Sequence, residues 1–519
     1  MLVQEKIIQQ SLENPNKIAV DDGEHQLSYK DLNLYSNQLA NFLKEHQNTR
    51  SQRIGLLLDN SIEAIVGILS TIKADACYVP LMPSMPVNKH IEIIKDADIS
   101  IILSTNDYLK QISSIKELKS ELQFINLNLN SEKEEKDLYI NSSQWIQSSS
   151  SLPISQNIDE DLIYILYTSG TTGKSKGVML MHKNINAYLD WGIKTFNYTA
   201  DDKVSGHPRI TFDLSVMDIF ASLSVGATYC PITKKGDYSF PGTFIENMGI
   251  TVWFSVPSIL GMLIKSEQLT TCNFEKLRLC LVCGEALSID YANQWLKTLP
   301  NIPLYNLYGP TEATIACTYH QVTLKDCELK GVPIGKPTSE TEIIILNPED
   351  ESICSENQIG KLMICGSQLC AGYNNLKELT QKLFTPNPHK KHNRLMYETG
   401  DLAYKDNEGI IHYVGRTDQQ VQVNGYRVEL TGIESTLSQY KNINEVSVVF
   451  DKEKEILVTA IALIEGKDEK TEKKSIFNYC KDNLAEYMIP KKILFFDVLP
   501  KNSNGKIDRK QVLELYKSK

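Results

Sequence analysis

Three features of the sequence predict an α/β protein built from a large domain and a smaller one. The chain has 519 residues, about three times a typical domain of roughly 150. In its first half, short β-branched runs alternate with helical stretches, the rhythm of β-α-β units around largely parallel sheets. Beyond about residue 340 strands dominate, and about the last hundred residues read as a separate α+β unit.

Composition narrows the class. Hydrophobic residues are 42% and charged residues 23%, values that exclude a disordered or fibrous chain. The net charge is −10 with both signs interspersed, so no basic surface for nucleic acid is expected. The N-terminal MLVQEKIIQQ has no signal-like apolar core, and no uninterrupted apolar run reaches the roughly 18 residues of a membrane span. Eleven scattered cysteines suit free thiols in a reducing cytoplasm. Cys280 and Cys283 form a C-x-x-C inside LRLCLVCGE, which reads as a buried strand. Residues three apart on a strand face opposite ways, so buried thiols are expected rather than zinc ligands.

The elements follow in order. Arg53–Leu58 reads as a strand. Ser61 then caps a helix whose Ile62, Ile65, Val66, Leu69 and Ile72 keep the helical period. Ala76–Leu81 and Ile99–Leu103 are strands. Residues 105–158, with the charge run SEKEEKD and four serines at 148–151, read as mostly surface connection around a short strand at Phe124–Leu127. Asp161–Tyr167 is a strand that enters a glycine-rich loop. Strands at Thr341–Leu346, Lys361–Cys365 and Ile410–Val414 follow. The C-terminal part shows a helix near Gly432–Gln439, strands at Val446–Phe450 and Ile456–Ile464, and a helix near Glu472–Leu484. A charged loop, EGKDEKTEKK, interrupts it. No internal repeat is present.

The loop Thr168-Ser-Gly-Thr-Thr-Gly-Lys-Ser-Lys-Gly177 holds three glycines, five hydroxyls and two lysines directly after an apolar strand. Glycines admit backbone N–H groups to phosphate oxygens, hydroxyls donate further bonds, and lysines offset charge. The spacing is not that of a Walker A loop, because two residues rather than four separate Gly170 from Gly173. No G-x-G-x-x-G exists to suggest a dinucleotide enzyme. A plain surface turn is the alternative.

This string resembles the signature loop of the adenylate-forming superfamily, which includes acyl-CoA synthetases, firefly luciferase and the adenylation domains of nonribosomal peptide synthetases. Further motifs of that family follow in order: Phe212-Asp-Leu-Ser215, Gly284-Glu285, Asn306-Leu-Tyr-Gly-Pro-Thr-Glu312 and Gly331-Val-Pro-Ile-Gly335. Then come Tyr397-Glu-Thr-Gly-Asp401, Gly415-Arg-Thr-Asp418, Gly425-Tyr-Arg-Val-Glu429 and Pro500-Lys-Asn-Ser-Asn-Gly-Lys506. The resemblance spans essentially the whole chain. It is strongest to amino-acid-activating members, including D-alanine–carrier protein ligases and free-standing L-proline adenylating enzymes.

The resemblance implies two reactions. A carboxylate attacks the α-phosphate of ATP, and a thiol then displaces AMP. The first step needs positioning and charge neutralisation. ATP contacts are expected from Thr168, Ser169, Gly170, Thr171, Thr172, Gly173 and Lys174, with Lys176 adding charge. Gly284, Glu285 and Ala286 would line the adenine side. Asn306, Leu307, Tyr308, Gly309 and Pro310 would continue that wall, with the Tyr308 ring against adenine. Thr311 would hold the α-phosphate, and Glu312 would bind Mg²⁺. Asp401 would take the ribose hydroxyls, with Tyr413 and Arg416 nearby. Lys506 would bridge the carboxylate and α-phosphate, so Lys506, Thr311 and Glu312 form the catalytic set. Asp418 matches the hinge of the family. The core domain is therefore expected over 1–417 and a mobile C-terminal domain over 418–519. Gln422 departs from the usual lysine, which puts any contact of that lysine in doubt.

By the same resemblance, Asp213 pairs with a substrate ammonium. A buried aspartate is costly without a cation, which favours an amino acid over a fatty acid. A helix N-cap is the alternative role for Asp213. Leu214, Met217, Phe254, Leu281, Cys283, Leu307, Ile315 and Ala316 would line a small to medium apolar pocket, with L-proline as the preferred substrate. The chain ends thirteen residues after Lys506, so a free-standing enzyme with a separate phosphopantetheinylated carrier protein is expected. D-alanine–carrier protein ligase and acyl- or aryl-CoA ligase are the alternatives.

Lys506→Ala should lower adenylation by roughly 10²–10³, the usual magnitude for one electrostatic donor. Thioester formation from supplied aminoacyl-adenylate should survive. The two half-reactions, assayed separately, check this; an equal loss in both would contradict it.

Overall fold

The structure, a computed structural model, describes residues 1–46, 49–129, 140–170, 174–389, 395–464, 467–501 and 507–518. Thr171, Thr172, Gly173, Lys506 and the charge run at 131–137 lie outside the described residues. The chain divides into two compact units. One holds Met1–Pro83, Ile94–Leu166 and Gly177–Thr417; the other holds Ser84–Ile93, Tyr167–Lys176 and Asp418–Lys519.

The first unit contains two large sheets. The six-stranded sheet runs in the order Gln123–Asn126, Ile101–Ser104, Arg53–Leu57, Cys77–Leu81, Leu162–Thr168, Lys176–Met181. Arg53–Leu57 pairs in parallel with both of its neighbours. Strands covered on both faces need apolar side chains at nearly every position, which RIGLL and CYVPL supply. Ser61 caps the intervening helix Ile62–Lys73, its side chain accepting the Ala64 amide at 3.1 Å. That helix is buried over almost its whole surface.

The nine-stranded sheet carries Leu304–Tyr308, Leu279–Val282, Val252–Ser255 and Lys203–Gly206 as successive parallel neighbours. Cys280 and Cys283 pack into two different core clusters, as the strand period requires. A five-stranded antiparallel sheet follows, with Thr341–Leu346, Gly360–Gly366, Leu395–Lys405, Phe384–Pro386 and Ile411–Arg416.

One stretch differs from its sequence reading. The described residues of 105–158 add two helices to the strand. Helix Leu109–Leu118 buries Ile112 and Ile115, and the short helix Ser142–Trp145 buries Trp145 completely. The Trp145 indole donates to the Asn126 carbonyl at 2.9 Å. Polar neighbours in sequence hide these anchors, because only one residue per turn faces inward.

In the second unit, strands Gln420–Val423 and Tyr426–Glu429 form a hairpin. Its turn residues Asn424 and Gly425 both have positive φ, 50° and 81°, the conformation that an Asn-Gly pair adopts most easily. A three-stranded sheet of Ile443–Asp451, Ile456–Leu463 and Lys492–Phe496 packs with helices Leu430–Leu437 and Glu469–Asn483. The charged stretch EGKDEKTEKK is not all loop. Asp468 accepts the Thr471 amide and caps a helix that begins at Glu469.

Trp145→Ala should cost about 3–5 kcal/mol, the usual range for deleting a large buried aromatic. Urea unfolding of the two proteins measures the difference. A loss under 1 kcal/mol would mean that Trp145 is not a core anchor.

Candidate active site

Asp213 stands at the N-cap position of helix Leu214–Ser224, in helical conformation and with no side-chain capping bond. Its carboxylate instead accepts the Thr311 hydroxyl at 2.7 Å. Only 5% of Asp213 is exposed. Burial pushes its carboxyl up to about 6; the Thr311 hydrogen bond opposes this shift, and the nearby Glu312 charge adds to it. Among the described residues no cationic side chain pairs with Asp213.

Thr311 opens the short helical turn Thr311–Ala313 directly after strand Leu304–Tyr308 and the Gly309-Pro310 connection. Its neighbour Glu312 is fully buried and accepts the Tyr373 hydroxyl at 2.6 Å. The Asn306 amide donates to the Pro333 carbonyl at 2.8 Å.

Asp401 and Arg416 are cross-strand partners. Arg416 donates to Asp401 at 2.7 Å and to the Thr399 carbonyl at 3.0 Å. The second Asp401 oxygen takes the Tyr308 hydroxyl. Both Asp401 oxygens are thus held by protein donors. The Tyr308 and Tyr413 rings lie 6.2 Å apart, tilted by 39°. Glu285 accepts the Ser258 amide at 2.7 Å, between Gly284, which has a φ of 93°, and the exposed Ala286.

Leu214, Met217, Phe254, Leu281, Cys283, Leu307, Ile315 and Ala316 all belong to one buried apolar cluster. Thr314 and Ile315 have φ of 59° and 69°, a strained conformation, most of all for a β-branched residue. The sequence reading missed the residue that holds this turn. Gln368 is 1% exposed, and its amide donates to the carbonyls of Ala316, Ala313 and Thr314 at 2.9, 3.3 and 3.4 Å. Its own oxygen accepts the Thr338 and Thr341 hydroxyls. No local signal marks Gln368, since every one of these partners is distant in sequence.

The rest of the glycine-rich loop belongs to the second unit. There Ser169 donates to the Arg427 carbonyl and accepts the Glu429 amide at 3.3 Å. Lys176 pairs with the buried Glu429 at 3.6 Å. Lys174 is exposed, and Asp418 accepts the Gln420 amide at 3.1 Å.

Comparison with known proteins decides the family. Residues 8–374 match the AMP-binding enzyme family, and residues 432–506 match the AMP-binding enzyme C-terminal domain. The chain belongs to the AMP-binding enzymes. It is 33% identical to zwittermicin A synthase ZmaJ of Bacillus cereus, over 98% of this chain and 94% of that protein. It is also 33% identical to bacitracin synthase 3 of Bacillus licheniformis, over 98% of this chain but 8% of that protein. Its relatives thus range from one it nearly spans to one of which it covers a small part. The Vibrio cholerae adenylation domain AlmE, solved in complex with glycyl-adenosine-5′-phosphate, superposes with a TM-score of 0.88 at 26% identity, covering 100% of this chain and 98% of that one. This AMP-binding enzyme is an adenylation domain of the nonribosomal peptide synthetase type. No described helix is long and apolar enough to cross a membrane.

The raised carboxyl of Asp213 makes the stability of this AMP-binding enzyme depend on pH. Between roughly pH 4 and 6 the folded chain retains a proton that the unfolded chain has released. Stability therefore falls as pH rises through that window, and the full penalty stands above pH 6. A gap of about two pH units corresponds to about 3 kcal/mol. Asp213→Asn keeps an acceptor for Thr311 but carries no charge. It should stabilise the protein by about 2–3 kcal/mol at pH 8, with the gain gone near pH 4. Denaturant unfolding at the two pH values checks this; an equal gain at both would contradict it.

Proposed function

We propose that this chain activates a small apolar amino acid, L-proline foremost, as its aminoacyl-adenylate at the expense of ATP. It then passes the aminoacyl group to the phosphopantetheine thiol of a separate carrier protein. The observation that carries this reading is the bond between Asp213 and Thr311. A buried carboxylate with no cationic partner among the described residues bonds to Thr311, the residue before Glu312 in the segment assigned to the nucleotide phosphates. An amino acid carries its ammonium one carbon from its carboxylate, so a single small molecule can reach both. Its ammonium neutralises Asp213, and its carboxylate lies where the α-phosphate is attacked.

Other residues then take defined parts. Thr168, Ser169 and the glycine-rich loop bind the phosphates, and the Asp401 carboxylate takes the ribose hydroxyls. Glu312 offers the hard oxygen that Mg²⁺ prefers, already oriented by Tyr373, and the ion would offset phosphate charge there. Lys506 stabilises charge as the carboxylate oxygen bonds to phosphorus and pyrophosphate leaves. Residues 418–519 act as the mobile domain about Asp418, exchanging the adenylation arrangement for the thioester-forming one.

The pocket wall is apolar apart from Asp213. A five-membered ring packs against Phe254, Leu307 and Met217, and its secondary ammonium keeps two N–H donors for Asp213. Two extra side-chain carbons at roughly 0.8 kcal/mol each favour proline over alanine by about 1.6 kcal/mol, or some fifteenfold. Glycine, the aminoacyl group in the AlmE complex, and D-alanine are the competing substrates.

Pyrophosphate exchange with amino acids of both hands tests the proposal. L-proline should exceed L-alanine in kcat/KM by about tenfold or more, and Asp213→Ala should abolish exchange while ATP still binds. A preference for D-alanine or glycine would overturn the proline assignment. Exchange only with carboxylic acids that lack an amino group would overturn the amino-acid reading itself.

A further inference from the structure

Gly192 lies inside helix His182–Thr195 and is buried. A methyl group placed on it would stand 2.7 Å from Met217 Cε and 3.3 Å from Met217 Sδ. The first separation is shorter than side-chain carbons tolerate, so the Met217 thioether occupies the space that any other residue at 192 would fill. Backbone conformation does not account for the glycine, because its φ lies outside the left-handed region. Helix propensity does not account for it either, since alanine is preferred over glycine in a helix interior. What the glycine provides is room for Met217.

Met217 is four residues beyond Asp213 on helix Leu214–Ser224, and so lies one turn along the same face. It is fully buried. If Asp213 holds the substrate ammonium, Met217 bounds the space for the substrate side chain. We infer that Gly192 is a specificity-determining position: it lets Met217 lie back against helix His182–Thr195 and so sets the depth of the amino-acid pocket. This rests on the proposed function of the same site. Gly192 reaches the substrate only through Met217, so it is a positioning residue. With a methyl at 192, the flexible thioether is driven off its seat and into the substrate space, and the pocket becomes shallower.

The test is a double-mutant cycle of Gly192→Ala and Met217→Ala, read by pyrophosphate exchange with glycine, L-alanine, L-proline and L-valine. Gly192→Ala should lower the kcat/KM ratio of L-proline and L-valine to L-alanine by about tenfold, with KM for ATP unmoved. In the Met217→Ala background the same substitution should leave that ratio unchanged, because the methyl group then has space. It should also raise Tm in that background, as helix propensity dictates, and fail to do so when Met217 is present. Should Gly192→Ala alone not fold, the comparison of Met217→Ala with the double variant still decides. A changed selectivity between those two, or an unchanged selectivity in folded Gly192→Ala, would overturn the inference alone. A wild-type protein that exchanges with no amino acid would overturn the proposed function and this inference with it.

Discussion

The site depends on keeping one carboxylate, Asp213, inside an apolar core. Removing a charge from water is expensive, and here the raised carboxyl records the cost. One hydroxyl, that of Thr311, offsets part of it. The apolar residues around Asp213 thus have two effects at once. They give the unit a large share of its core, and they raise the cost of a charge on the carboxylate.

A second constraint follows from the first. The same buried core includes Ile315, in a backbone conformation that costs of the order of 1–3 kcal/mol, and it persists only because neighbours hold it. Gln368 is that neighbour. Its orientation is unambiguous, since its oxygen accepts two hydroxyls while its amide donates to the carbonyls of the turn. A buried polar network of this kind fixes one arrangement where apolar packing alone would allow several.

The antiparallel sheet fixes a second carboxylate in a comparable way. Its strand pairing sets Arg416 opposite Asp401, and Tyr308 reaches the same carboxylate from the end of a strand of the nine-stranded sheet. A charge-assisted fork and a phenol then hold Asp401 in place before any ligand binds.

By itself the sequence determined the α/β class, the order of the strands and the residues of the motifs. Those properties are local: strand and helix periods, the Ser61 cap and the contiguous strings around Thr168, Asp213 and Thr311 are all written within a few residues. The separate faces of Cys280 and Cys283 were legible for the same reason. The anchoring role of Trp145 was not, because a lone aromatic in a polar stretch has no period. Nor was Gln368, whose partners are dozens of residues away. Tertiary structure alone decided that Thr311 spends its hydroxyl on Asp213, that Asp213 does not cap its helix, and that Met217 rests on Gly192. Each is a meeting of segments brought together by sheet order and helix packing, and no local pattern in the chain encodes such a meeting.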